Sequence, residues 1–254
     1  MKKAILAGAF ALASATVASA QNAAYNWTGL YVGASAGYGW GDVQDNISKQ
    51  VFAGGGIPAA PLDGPVAFGG NANGAIGGFQ AGYNYQVDRW VLGIEASWSL
   101  TDSRRNYGCN ASVSGSGAVI TGSDCFIADR MKSVGDVRAR FGTAFGRSLV
   151  YAAGGYALGD FSFALTPDAA AVGFGAVNIG ASTLRSGWTI GGGIENALTD
   201  NIIVGLDYKY YDFGTWSTAL LAGAAAGFTA TNYRDMHFTE NALQMRMSYK
   251  FGAR

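Results

Sequence analysis

Between Trp90 and Leu100 the chain alternates without a fault. Trp90, Leu92, Ile94, Ala96, Trp98 and Leu100 share one parity, and Val91, Gly93, Glu95, Ser97 and Ser99 the other. A period of two means a strand with two unlike faces. The first face is wholly apolar, with a tryptophan near each end. The second carries glycine, serine and one carboxylate, too thin and too polar to build a globular core. Lipid outside, a polar lumen inside and aromatic rings at both water interfaces account for the two faces together.

The pattern recurs, giving eight stretches in all. The first runs from about Gly29 to Trp40, with Leu30, Val32, Tyr38 and Trp40 outward and Tyr31 inward. The second is about Gly74 to Gln86, with Phe79, Tyr83 and Tyr85 outward; the Trp90 strand is third. In the fourth, about Arg130 to Phe145, Val137, Ala139 and Phe141 alternate with Asp136, Arg138 and Arg140. The fifth, about Leu149 to Phe163, is apolar in both parities, so its faces stay unassigned. The sixth, about Thr183 to Leu198, sets Trp188, Ile190 and Ile194 against Thr189, Gly191, Gly193 and Glu195. The seventh, about Ile202 to Gly214, sets Val204, Leu206, Tyr208 and Tyr210 against Asp207 and Lys209. The eighth, about His237 to Phe251, sets Leu243, Met245, Met247, Tyr249 and Phe251 against Gln244, Arg246, Ser248 and Lys250.

The connections alternate in length. Gln86–Arg89, Gly146–Ser148 and Thr199–Asn201 read as tight turns; Asp42–Asn73, Asp102–Asp129, Ala164–Ser182 and Thr215–Met236 read as long loops. Outer-membrane barrels have short periplasmic turns and longer outer loops. The fold class is therefore all-β, an eight-stranded antiparallel transmembrane β-barrel with both termini in the periplasm. A soluble sandwich or lipocalin would need large residues filling its interior, and the inward faces are read as glycine, serine, asparagine and charge.

Composition agrees. Charged residues make up 13%, far below the ~25% of soluble domains. Seventeen Lys and Arg balance seventeen Asp and Glu, which leaves no basic footprint for nucleic acid. Residues 1–20 read as a secretory signal peptide: Lys2 and Lys3, an apolar run from Ala4 to Val17, then Ala18-Ser19-Ala20 as the cleavage site. Residues 21–254 are then the barrel, placed in the outer membrane of a Gram-negative cell.

The segments NWTGLYVGASAGYGWG (26–41), GGFQAGYNYQ (77–86), GWTIGGGIENAL (187–198), LDYKYYDFG (206–214) and MRMSYKF (245–251) resemble the porin-family small outer-membrane proteins of alphaproteobacteria, surface antigens with an OmpA/OmpX-like barrel. The resemblance spans the chain after residue 20 and is strong in the strands. It implies that the ending at Tyr249 and Phe251 is the signal read by the barrel assembly machinery. The family ending stops at the aromatic, whereas this chain runs on through Gly252, Ala253 and Arg254.

Five inward charges carry the chemical interest. Counted from each strand's periplasmic end, Glu95, Arg140, Glu195, Asp207 and Arg246 all lie roughly 10 to 15 Å up the lumen, at ~3.3 Å per residue and ~40° of tilt. Paired carboxylates can serve acid–base catalysis, but counter-charges at the same height favour a neutralised layer that fills the barrel. An ion path is the other reading of these residues. The single histidine, His237, beside Met236 and Tyr233, is a weak haem-ligand candidate; no cofactor or metal is otherwise indicated. Cys109 and Cys125 share the second long loop, and in an oxidising periplasm a disulfide is the default. Such a bridge stabilises by ~3 kcal/mol in the chain-entropy model.

The function expected is non-enzymatic: a barrel that contributes to envelope structure and displays surface loops. A small-solute porin is the alternative, and a haem-binding or host-surface-binding protein the second. Expected partners are outer-membrane lipid, lipopolysaccharide, the assembly machinery and a host or surface ligand at the loops.

Overall fold

A computed structural model of the chain describes residues 25–54, 66–110, 124–167, 179–225 and 228–252. The segment expected to be a signal peptide lies outside them, as do Ala253 and Arg254. The strands are β1 (Gly29–Gly54), β2 (Val66–Val87), β3 (Trp90–Asn110), β4 (Asp124–Phe145), β5 (Ser148–Pro167), β6 (Ile179–Ala197), β7 (Ile202–Ala225) and β8 (Phe228–Lys250). Each pairs antiparallel with the next, and β8 returns to β1, closing a barrel.

Register fixes the barrel's width. Cα partners lead from Tyr31 through Gly82, Glu95, Arg138, Gly155, Thr189, Tyr211 and Glu240 back to β1 at Gly41. The stagger from position 31 to 41 is ten residues. With ~3.3 Å rise and ~4.8 Å strand spacing, that gives a tilt of about 40° and a backbone radius of about 8 Å. Side chains alone can fill so narrow an interior.

One end carries tight turns, at Asp88–Arg89, Gly146–Arg147 and Leu198–Asn201. Asp88 takes φ 53° and Gly146 φ 60°, the left-handed conformation that aspartate and glycine tolerate best. At the third turn, Thr199 Oγ1 accepts from the amides of Asn201 (3.3 Å) and Ile202 (2.9 Å).

The other end departs from the sequence reading. The strands run on well into the four stretches read as long loops, to Gly54, Asn110, Pro167 and Ala225 on the way out. β-Bulges interrupt the register near some of these extensions, between Ile47 and Lys49, Met131 and Ser133, and Asp212 and Thr215. A bulge adds a residue to one strand and flips the parity beyond it. Thus Met131 and Val134 are both buried, as are Phe213 and Trp216. At these two places alternation breaks although the strand does not.

Burial is inverted relative to a soluble protein. Phe79 is 75% exposed, Met245 71% and Leu100 67%, while Glu95 is 1% and Arg138 0%. The outward rings gather in two belts. Tyr83, Tyr85, Trp90, Phe141, Phe145, Tyr249 and Phe251 sit toward the turn end, and Tyr38, Trp40, Trp98, Tyr156, Trp188 and Tyr208 toward the other. The lumen is not uniformly thin and polar, as the inward alternation had suggested. Two apolar clusters bracket its charges. The upper one includes Val43, Met131, Phe161, Tyr211, Phe213, Trp216, Met236 and Phe238; the lower one is Tyr25, Trp27, Val91, Leu149, Tyr151, Ala153, Ala197 and Ile203. β5 lines both, which explains its doubly apolar sequence: Leu149, Tyr151, Ala153, Ala157 and Phe161 face inward, Val150 and Tyr156 outward.

Candidate functional site in the lumen

Strand alternation brings one or two polar side chains from almost every strand to a common level between the apolar clusters. Glu95 on β3 is the hub. Arg138 Nη2 donates to its Oε1 at 2.6 Å, Arg140 Nη1 to its Oε2 at 3.2 Å, Tyr31 Oη to its Oε2 at 2.7 Å, and Arg246 to both oxygens. The same arginines reach the neighbouring carboxylates. Arg138 Nη2 donates to Asp207 at 2.7 Å, and Arg140 Nη2 to Glu195 at 2.8 Å. Arg246 Nε lies 3.2 Å from Glu195. Tyr151 Oη donates to Asp207 at 2.9 Å, and the Arg140 guanidinium lies 3.9 Å from the Tyr151 ring centroid. One turn of side chains higher, Lys209 Nζ donates to Asp136 (2.9 Å) and Ser97 (2.8 Å), and Tyr211 Oη to Asp136 (2.8 Å).

The structure thus brings together all five charges picked from the sequence, Glu95, Arg140, Glu195, Asp207 and Arg246, and adds Arg138, Asp136 and Lys209. Four carboxylates face four cations, every one buried. Parity already turned the three added residues inward; counting heights from the turns left them out because long side chains bridge about one residue pair of height. The tyrosines were missed as members, although Tyr31 was on the inward face. Room for them comes from glycine: a Cβ on Gly82 would stand 2.4 Å from Tyr31 Oη, and one on Gly193 2.7 Å from Tyr151 Oη. A cavity of about 10 Å³ within the layer, lined by Ser35, Gln80, Glu95, Asp207, Lys209, Gln244 and Arg246, has room for about one water.

A lid closes the turn end, and nothing in the strand alternation pointed to it. The segment before β1 folds into the mouth, with Trp27 fully buried. Trp27 N donates to Gln86 Oε1 at 2.7 Å and Tyr25 Oη to the Asp200 carbonyl at 3.1 Å. The Lys250 ammonium lies 4.2 Å from the Tyr25 ring centroid, and it also donates to the Asn26 carbonyl. Burial pushes the Tyr25 phenol up to about 12 against the pull of Arg147, so the phenol keeps its proton.

The remaining sequence candidates lie elsewhere. His237 is inside β8 rather than at its outer end, 3.1 Å from Asp212 on the outer face of the barrel. Met236, its neighbour, points to the opposite face and is buried in the lumen, so the strand separates two of the proposed haem ligands. Cys109 and Cys125 are direct register partners of β3 and β4, not members of a loop; their side chains fall outside the described residues. Tyr249 and Phe251 stack edge to face at 5.1 Å at the turn end.

A closed barrel with an apolar outer belt, aromatic borders and a charged lumen defines an integral outer-membrane β-barrel. The family described as outer membrane protein beta-barrel domain matches residues 9–251, and the chain belongs to it. It is similar to the 31 kDa outer-membrane immunogenic protein of Brucella melitensis, 34% identical over 75% of this chain and 72% of that one. It is also similar to the 25 kDa outer-membrane immunogenic protein of Brucella canis, 26% identical over 89% and 80%. Among solved structures, the outer membrane protease OmpT from Escherichia coli aligns over 92% of this chain and all of that one, with a TM-score of 0.51 and 7% identity. That last likeness is one of fold alone.

Proposed function

We propose that the protein is a non-enzymatic structural barrel of the outer membrane, closed to solutes, which braces the envelope and displays the outer ends of its hairpins at the cell surface. The observation that carries this reading is the balanced charge layer. Four carboxylates and four cations, cross-linked by forked hydrogen bonds, span a lumen of about 8 Å backbone radius. Fixed pairs of this kind give a permeating ion no unpaired charge to exchange with. The apolar cluster above and the lid below add two further barriers. Display at the surface is supported by strands that continue beyond the outer aromatic belt, and by relatives named for their immunogenicity. Tyr249 and Phe251, on the last strand, are the residues the assembly machinery would read.

The test is a deletion strain. Cells lacking the protein should become sensitive to detergent and chelator while their uptake of small sugars is unchanged. Reduced sugar uptake with an intact envelope would establish a porin instead.

A further inference from the structure

Charge is unevenly distributed around the outer rim. On β3 and β4, Arg104 and Arg130 are register partners and both are exposed, as is Lys132. Asp102 stands between the two arginines. Arg104 grips it through both nitrogens of its fork, with Nε donating to Oδ1 at 2.7 Å, and Arg130 Nη2 lies 2.8 Å from the same oxygen. One carboxylate thereby holds two exposed guanidiniums next to each other. Asp160 on β5 borders the group at Lys132. Across the barrel, the described outward side chains at similar height on β7, β8 and β1 include three aspartates, Asp212 (beside His237), Asp235 and Asp42, among neutral residues such as Gln44 and Thr239.

The height of the basic group decides what it meets. Leu100, 67% exposed, and Trp98 are the outward residues immediately below it on β3. Asp102 and Arg104 lie two and four residues further on, about 5 and 10 Å higher at ~40° of tilt. The polar zone of a bilayer begins at that level and is several Å deep. In the outer leaflet of this membrane, the anions at such a depth are the phosphates of a glycolipid whose acyl chains cover the apolar belt beneath. Guanidinium forks match phosphate oxygens geometrically as well as by charge.

We propose that Arg104, Arg130 and Lys132 form a docking site for the phosphate groups of outer-leaflet lipopolysaccharide, with Asp102 as the positioning residue that holds the two guanidiniums together. The inference rests on the barrel's place in the outer membrane and is independent of whether the lumen conducts.

Native mass spectrometry of the full folded protein in detergent micelles tests it, with bis-phosphorylated lipid A and its dephosphorylated form as probes. Wild type should bind the phosphorylated form at least tenfold more tightly. Arg104→Gln/Arg130→Gln/Lys132→Gln should lose that preference and remain heat-modifiable, while Asp42→Asn/Asp235→Asn on the opposite rim should keep it. Equal binding of the two lipids by wild type would overturn the proposal, whether or not the triple variant folds. A preference that survives in the triple variant would overturn it too.

Discussion

Arg138 is the most exacting residue on which to perturb the charge layer. It is wholly buried and touches three carboxylates: Glu95 at 2.6 Å, Asp207 at 2.7 Å and Asp136 at 3.2 Å. Breaking a buried ion pair by removing one partner costs about 3–5 kcal/mol. Each of the three carboxylates keeps another partner: Arg140 and Arg246 for Glu95, Arg246 and Tyr151 for Asp207, Lys209 and Tyr211 for Asp136. Arg138→Gln should therefore sit at the low end, about 3 kcal/mol, which lowers a urea midpoint by about 1 M or more. Glu95→Gln strips an acceptor from three arginines and Tyr31 at once, so it should sit at the high end, about 5 kcal/mol. The two changes leave opposite residual charge, and any leak should be cation-selective in Arg138→Gln and anion-selective in Glu95→Gln. Replacing both by methionine restores the balance, and its cost should fall clearly below the sum of the single ones. Urea titration in lipid vesicles, followed by tryptophan fluorescence, gives the energies; reversal potentials under a salt gradient give the selectivities. Losses under 1 kcal/mol for both single variants, adding simply in the double, would show that the layer is not a coupled network.

Three further outcomes follow from the geometry. Trp27→Ala should unseat the lid at a cost of about 3–5 kcal/mol, read as a lowered urea midpoint with the barrel still heat-modifiable; an unchanged midpoint would mean the lid does not pack in solution. Cys109 and Cys125, as cross-strand partners, fall within the Cα separation a disulfide needs; mass spectrometry of non-reduced protein should show one linked peptide pair, and two free thiols would contradict it. Single cysteines at Ser48 should react with an impermeant reagent on intact cells and those at Asp88 or Asp200 should not, in a background lacking the native pair; labelling at Asp88 would invert the assigned topology.

Much of this fold was legible because one rule governs the membrane zone. From Leu30 to Trp40 and from Leu243 to Phe251 every second side chain meets lipid, so parity alone sorts outside from inside. Parity failed where the chain changed it. At the bulges beside Met131 and Asp212 the inward parity switches, so that Met131 and Val134 both face the lumen, as do Phe213 and Trp216, and alternation followed past Gly214 assigns the rest of β7 to a loop. The charge layer was half visible: its members were inward by parity, but which acid meets which base depends on the ten-residue stagger, a property of ring closure that no single strand carries. The lid was invisible for a different reason, since Tyr25 and Trp27 belong to no periodic segment and their burial is decided by the width of the mouth they fill.

Single-channel recording of the purified protein in a planar bilayer tests the closed lumen most directly. Wild type should show no steady open level, and Arg140→Ala/Arg246→Ala, which leaves Glu95 and Glu195 short of their cations, should open frequently and select cations. A steady, large, weakly selective conductance in wild type, unchanged by the double substitution, would contradict the account.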